Sequence, residues 1–212
     1  MTPIPQTRAL APLLLLVAAM VAPDLVVGAD GVQKIRLGVF YESRCPDSKR
    51  FFVQQLAPAM RELGSILKPE LVAFGHARVL GPNKMVCQHG PKECEGNRLM
   101  ACVQSRATSE LAMVETLVCL FEGASKTDDC ISKHLPGVSP DDINKCKTSD
   151  ESFQMMVKNE KLTGKLGYVP HITVDGQTSE EIQTGAEWNL KQFLCNYYKG
   201  PKPDSCKQQA SV

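Results

Sequence analysis

A chain carrying nine cysteines, at positions 45, 87, 94, 102, 119, 130, 146, 195 and 206, is constrained first by where those thiols end up. All nine follow an apolar leader: after Arg8, residues 9–22 form an unbroken small and apolar run rich in leucine and alanine. The run is too short to span a bilayer, which takes about 20 residues, and Pro23 and Asp24 end it before the small residues Val27, Gly28 and Ala29. This is the pattern of a signal peptide over residues 1–29, cut after Gly28 or Ala29. Export places the cysteines in an oxidising compartment, so disulfides are expected. The count is odd, which leaves at least one thiol unpaired or joined to another molecule. If Cys45 is that thiol, the other eight allow 105 connectivities. Position suggests Cys195 with Cys206, tying down the tail, and Cys130 with Cys146, stapling short helices.

Without the leader roughly 180 residues remain, the size of one domain with a substantial core or of a compact core carrying an insertion. The formal net charge is +1 and the lysines are scattered, so neither nucleic acid nor another polyanion is an expected partner. The sequence holds no second apolar span, and no transmembrane anchor is expected. It also lacks an Asn-x-Ser/Thr acceptor, leaving no glycan handle for lysosomal delivery. Secretion is the expected destination, with a lysosomal or endosomal location as the alternative.

Residues 35–41 form a mostly apolar run with β-branched and aromatic members, as a buried central strand requires. From Pro46 the spacing turns helical, with Phe51, Phe52, Leu56, Ala59, Met60 and Leu63 recurring in steps of one, three and four before Gly64. Residues 71–80 read as a second strand, completing a βαβ unit. Glycine, proline and asparagine punctuate residues 81–102, which read as a cross-linked loop or short hairpin. Residues 103–121 read as a helix, and residues 127–163 as short helices started by Ser139-Pro140 and Ser149-Asp150. Residues 169–174 return to strand and end at the turn dipeptide Asp175-Gly176. A short second arm follows around residues 181–184, and residues 186–198 close the domain as a helix with Trp188, Leu190, Phe193, Leu194 and Tyr197 on its apolar face. The order is βαβ, helical insert, ββα, an α/β fold. The domain covers residues 30–199 with the insertion at about 82–165, followed by a Pro/Lys/Ser-rich tail over residues 200–212.

Cys45 falls at the junction of the first strand and the first helix. Unsatisfied backbone N–H groups and the helix dipole favour negative charge there, and the thiolate is the form of cysteine that attacks. Pro46 suits the first helical turn, where no backbone donor is needed. The tetrapeptide Cys45-Pro46-Asp47-Ser48 has the spacing of a CxxC redox motif, in which the first cysteine attacks a substrate disulfide and the fourth residue resolves the mixed disulfide. Its fourth residue is serine, whose hydroxyl can hydrogen-bond a thiolate but cannot close a disulfide. Read structurally, Cys45 would instead pair with another cysteine. The Val169-Pro170 step stands where thioredoxin folds place a cis-proline opposite the active site; otherwise Pro170 is an ordinary trans proline at a strand start. His171 either contacts Cys45 and favours its thiolate or faces solvent.

The most specific motif is Cys87-Gln88-His89-Gly90, followed by Glu93, Cys94, Asn97 and Cys102. At every fixed position it resembles the C-Q-H-G-x2-E-C-x2-N-x4-C signature of the gamma-interferon-inducible lysosomal thiol reductase (GILT) family. Tyr41-Glu42-Ser43 before Cys45, the Val169-Pro170 step and the C-terminal cysteines are similar to that family too, so the resemblance covers nearly the whole chain after the leader. It implies a thioredoxin-like fold with a disulfide-stapled, mainly helical insertion, and reduction of protein disulfides in acidic compartments or outside the cell. The nucleophile's role transfers to Cys45, and Pro170 takes the place of the facing cis-proline. The resolving role does not transfer to Ser48, because those reductases carry cysteine at both ends of the tetrapeptide.

Two functions compete. In the first, a GILT-like thiol–disulfide oxidoreductase forms a mixed disulfide between Cys45 and a protein substrate, and an external thiol such as glutathione or cysteine resolves it without any bound cofactor. In the second, the chain is a secreted GILT-like protein that binds a partner protein and has lost reductase activity. A zinc site built from His89 with Cys87 and Cys94 is disfavoured, since an oxidising compartment pairs such sulfurs. Hydrogen bonding by Gln88, His89, Glu93 and Asn97 within a disulfide-held loop is the preferred reading, and no metal is expected.

Overall fold

The computed structural model describes residues 33–123 and 126–207; the signal-peptide reading of residues 1–29 lies outside them. Strand β1 (Ile35–Tyr41) is the centre of a three-stranded sheet, parallel to β2 (Leu67–Ala73) and antiparallel to β5 (His171–Val174). Successive strand side chains point to opposite faces. Leu37, Val39 and Tyr41 therefore enter one layer of core with Phe52, Leu56 and Leu63, while Phe40 and Val72 enter a smaller layer on the other side with Phe74, Ala101 and Met156. Full burial of each large apolar side chain stabilises the fold by about 1.5–3 kcal/mol.

The chain leaves β1 into a helical stretch made of α1 (Pro46–Phe51), a π-helical turn (Phe52–Leu56) and α2 (Ala57–Leu63). The wide turn precedes Pro58, whose missing N–H and bulky ring oppose a regular i to i−4 bond at that point. After β2 come a small antiparallel hairpin, β3 (Arg78–Gly81) with β4 (Lys84–Val86), and five helices: α3 (Pro91–Arg106), α4 (Glu110–Glu122), α5 (Thr127–His134), α6 (Pro140–Thr148) and α7 (Asp150–Thr163). β5, α8 (Glu180–Tyr197) and the short α9 (Asp204–Lys207) finish the domain. The insert is bound tightly to the sheet: Phe121 of α4 lies 4.9 Å from the Phe52 ring, which lies 4.6 Å from Tyr41 of β1. Among the described residues no helix is long and apolar enough to cross a membrane.

Several local expectations are corrected. The second strand spans Leu67–Ala73 rather than residues 71–80, because the chain turns at Gly75 (φ +59°) before β3 begins. Residues 91–102, expected as loop, form the first turns of α3 behind Pro91. The helix expected over residues 103–121 is interrupted after Arg106, and Ser109 caps the new helix by accepting the Ala112 N–H. Residues 181–184 are not a strand but the first turn of α8, where Ser179 accepts the Ile182 N–H; only an isolated bridge, Val174 with Gln177, follows the Asp175-Gly176 turn. Trp188 does not join the core. Asn189 is non-helical (φ −153°, ψ 68°), and the indole stays 66% exposed with the Arg50 guanidinium 5.1 Å above its ring.

The disulfides are Cys87–Cys94, Cys102–Cys146, Cys119–Cys130 and Cys195–Cys206. The tail bridge agrees with expectation. Cys130 does not pair with Cys146, because α5 packs beside α4 and α6 beside α3, so each cysteine meets the partner on the neighbouring helix.

Candidate functional site

Residues 42–45 connect the buried end of β1 to the start of α1. Cys45 is the N-cap of α1, with extended backbone (φ −72°, ψ 123°), and its Sγ accepts the Ser48 N–H at 3.4 Å. It is the free cysteine among the described residues and is 7% exposed. The Val169–Pro170 peptide bond is cis, and the Cys45 thiol reaches the Val169 carbonyl at 3.7 Å. The cysteine and the proline step, 124 positions apart in the chain, thus face each other.

Ser48 is fully buried. Its N–H serves Cys45, while its Oγ accepts the Glu42 N–H at 3.5 Å. The hydroxyl therefore braces the turn, and the expected contact to sulfur comes from the backbone instead. His171 does not contact Cys45 through a hydrogen bond; its ring packs 6.0 Å from Phe40 and 5.7 Å from Tyr168. Burial holds its imidazole below the usual histidine range. The unfolded imidazole takes up a proton near pH 6.5, whereas the folded one does so only at lower pH, so this contribution to stability is present above about pH 6.5 and is lost as pH falls from there towards the folded value. His171→Phe is expected to flatten that limb of the pH–stability curve in chemical denaturation. Equal slopes for the two chains would remove His171 as its source.

The motif at residues 87–102 turns out to hold the Cys45 loop. Asn97 of α3 accepts the Ser43 N–H at 2.9 Å and donates to the Phe74 carbonyl at 3.4 Å, and Ser43 Oγ donates to the Glu93 carbonyl at 3.0 Å. Gly96 permits this approach, because a Cβ there would stand 2.4 Å from Ser43 Oγ. Glu42 and Glu93, both fully buried, approach the same nitrogen of His89: Nδ1 is 2.5 Å from Glu93 Oε2 and 3.3 Å from Glu42 Oε2. Burial pushes the Glu42 carboxyl above the usual carboxylate range, opposed by the His76 N–H that it accepts at 2.6 Å, and the Glu93 charge pushes it further. The sulfurs of Cys87 and Cys94 are joined to each other, so neither is free to bind zinc with His89. Sequence reasoning named Glu42 only within the Tyr41-Glu42-Ser43 resemblance and gave it no role; an acidic residue directly after an apolar central strand was the available signal.

Beside Cys45 runs an open groove of about 360 Å³ lined by Ser43, Arg44, Pro46, Lys49, Leu120 and Phe121. Arg44 and Lys49 are exposed on its rim. A larger cavity of about 520 Å³ lies in the insert among Arg106, Val138, Asp142, Lys145 and Glu151, away from the free thiol.

A parallel βαβ start, an antiparallel return strand behind a cis-proline, and a capping cysteine facing that proline define a thioredoxin-like fold with a disulfide-stapled helical insertion. Solved structures agree on the fold: BdbD from Bacillus subtilis matches with a TM-score of 0.53 at 14% identity, over 78% of this chain and 88% of that one. DsbA from Chlamydia trachomatis matches with a TM-score of 0.52 at 14% identity, over 82% and 92%. The model of the gamma interferon inducible lysosomal thiol reductase family matches residues 36–134. The gamma-interferon-inducible lysosomal thiol reductase of Carassius auratus is 33% identical over 184 residues, 82% of this chain and 72% of that protein, and the one from Mus musculus is 32% identical over 187 residues, 83% and 73%. The chain belongs to the GILT family.

Proposed function

We propose that the chain is a thiol–disulfide oxidoreductase acting on protein disulfides through Cys45 alone, in a secreted or lysosomal setting. The observation that carries this reading is the free Cys45 at a helix N-cap, facing the cis Val169–Pro170 step while the other eight cysteines are paired. The Cys45 thiolate attacks one sulfur of the substrate disulfide, forming a mixed disulfide and releasing the other sulfur as a thiolate. An external thiolate, of the glutathione or cysteine class, attacks Cys45 Sγ and frees the second substrate thiol. A second external thiolate attacks the small-molecule sulfur of the resulting adduct, regenerating Cys45 and leaving the oxidised small thiol. Two external thiols are oxidised for each substrate disulfide reduced, and no bound cofactor takes part. Ser48 occupies the place of a resolving residue and supplies an N–H to the sulfur, not a second thiol.

The test is turnover of a protein disulfide with glutathione or cysteine as reductant, at acid and neutral pH. Ser48→Cys is expected to raise the rate by at least about tenfold, since an intramolecular resolver acts at high effective concentration; an unchanged rate would show that resolution at position 48 does not limit the chain. The second reading, a binding protein without catalysis, rests on the commitment of the buried Ser48 hydroxyl to the Glu42 N–H. It requires partner binding that survives Cys45→Ser together with no reductase activity in the natural chain.

A further inference from the structure

The Glu42–His89–Glu93 cluster has no part in the thiol chemistry, yet it is built with care. Each carboxylate has one oxygen tied to a backbone N–H: Glu42 Oε1 to His76 at 2.6 Å, and Glu93 Oε1 to His89 at 3.1 Å. That leaves both Oε2 atoms converging on His89 Nδ1, with the three ligand atoms within 4.8 Å of one another. Imidazole Nδ1 carries at most one proton, and the 2.5 Å contact assigns it to Glu93. Glu42 Oε2 is then a fully buried carboxylate oxygen without a hydrogen-bond partner. Even with His89 protonated, the two carboxylates leave one negative charge uncompensated within the cluster, and a buried unpaired charge is costly. With both carboxylates ionised the arrangement is one positive charge short.

We propose that Glu42 Oε2, His89 Nδ1 and Glu93 Oε2 bind a divalent transition-metal ion of the zinc class. Imidazole and carboxylate ligands suit that class, and a neutral imidazole with two carboxylates balances its charge. The backbone N–H bonds to both Oε1 atoms are the outer-shell contacts that orient carboxylate ligands. Tetrahedral ligands at about 2.1 Å stand roughly 3.4 Å apart, which the Glu42–His89 distance of 3.3 Å already meets. The His89–Glu93 pair must open by about 0.9 Å as its shared proton leaves, and His89 can move because it alone of the three reaches solvent. The ion would bridge the loop that carries Cys45 to the loop that carries Cys87, leaving a fourth position for water. Such a site would use the signature's histidine and glutamate but not its cysteines, unlike the zinc arrangement considered from sequence.

The experiment is calorimetric titration of Zn2+ into the disulfide-intact chain and into its Cys45→Ser form, followed by Co2+ absorption spectroscopy. Stoichiometric binding is expected in both, tightening from pH 5 to pH 7.5 as protons are displaced, with visible d–d bands of four-coordinate Co2+ and no thiolate charge-transfer band. His89→Asn, at the exposed ligand, and Glu93→Gln are each expected to weaken binding by more than about tenfold, with near-ultraviolet circular dichroism reporting that the variants keep the native packing. Indistinguishable affinity in the natural chain and His89→Asn overturns the proposal. So does proton uptake by the cluster with no stoichiometric binding of either ion, which would make a second proton the missing charge.

Discussion

Replacing Cys45 with serine is expected to bring disulfide reduction to background and to abolish alkylation of the folded chain by a thiol reagent. The other eight cysteines are held in four bridges, so no second sulfur is available to substitute for it. Serine preserves the cap, since an Oγ can accept the Ser48 N–H as Sγ does, and the fold should be little disturbed. A loss of activity without a loss of stability separates the nucleophile from a structural cysteine. The cysteine is 7% exposed, so labelling of the natural chain should be slow relative to a free thiol, yet complete. Residual turnover in Cys45→Ser above the uncatalysed rate would place the chemistry elsewhere. Reduction of one of the four bridges before attack would be the first alternative to check, by mass spectrometry of the trapped adduct.

The largest expected effect on stability comes from the Cys102–Cys146 bridge. It closes a sequence separation of 44 residues, against 11 for Cys119–Cys130 and for Cys195–Cys206 and 7 for Cys87–Cys94. The loop-entropy relation gives about 4 kcal/mol for the long loop and about 2.5 kcal/mol for the shortest. Cys102 and Cys146 are both buried in the main core, so the double alanine variant also leaves a small void where the bridge packed. Urea denaturation of the double variants should show the Cys102/Cys146 pair with the lowest midpoint of the four. A larger loss from the Cys87/Cys94 pair would mean that its local geometry outweighs chain entropy, in keeping with its position beside His89.

What could be read from the sequence was whatever is encoded locally. Residues 35–63 announce a strand, a cysteine and a helix because apolar periodicity changes at Pro46, and the Asp175-Gly176 turn appears where both residues take positive φ. Helix α3 was hidden for a physical reason. Its inward positions include Glu93 and Asn97, fully buried and bonded to the His89 and Ser43 segments, so the apolar stripe that would have marked a helix is replaced by polar groups with assigned partners. The disulfide partners were equally hidden, since Cys102 meets Cys146 only once α3 lies beside α6. Cys45 and Pro170 could be named from sequence, but their confrontation across 124 residues is a property of β5 lying antiparallel to β1. The role of the 87–102 motif as a brace for the Cys45 loop was not legible in any one segment.

That brace has a consequence for how the protein could be altered. Ser43 is held by Asn97 and Glu93, through a gap that exists only because position 96 has no side chain. The strand–cysteine–helix unit is therefore not a transplantable module: moved alone into another scaffold, it would bring its sulfur but leave its grip behind. Any portion exchanged between relatives would have to carry at least β1 through α3 to keep that grip, and the insert is part of the machinery it interrupts.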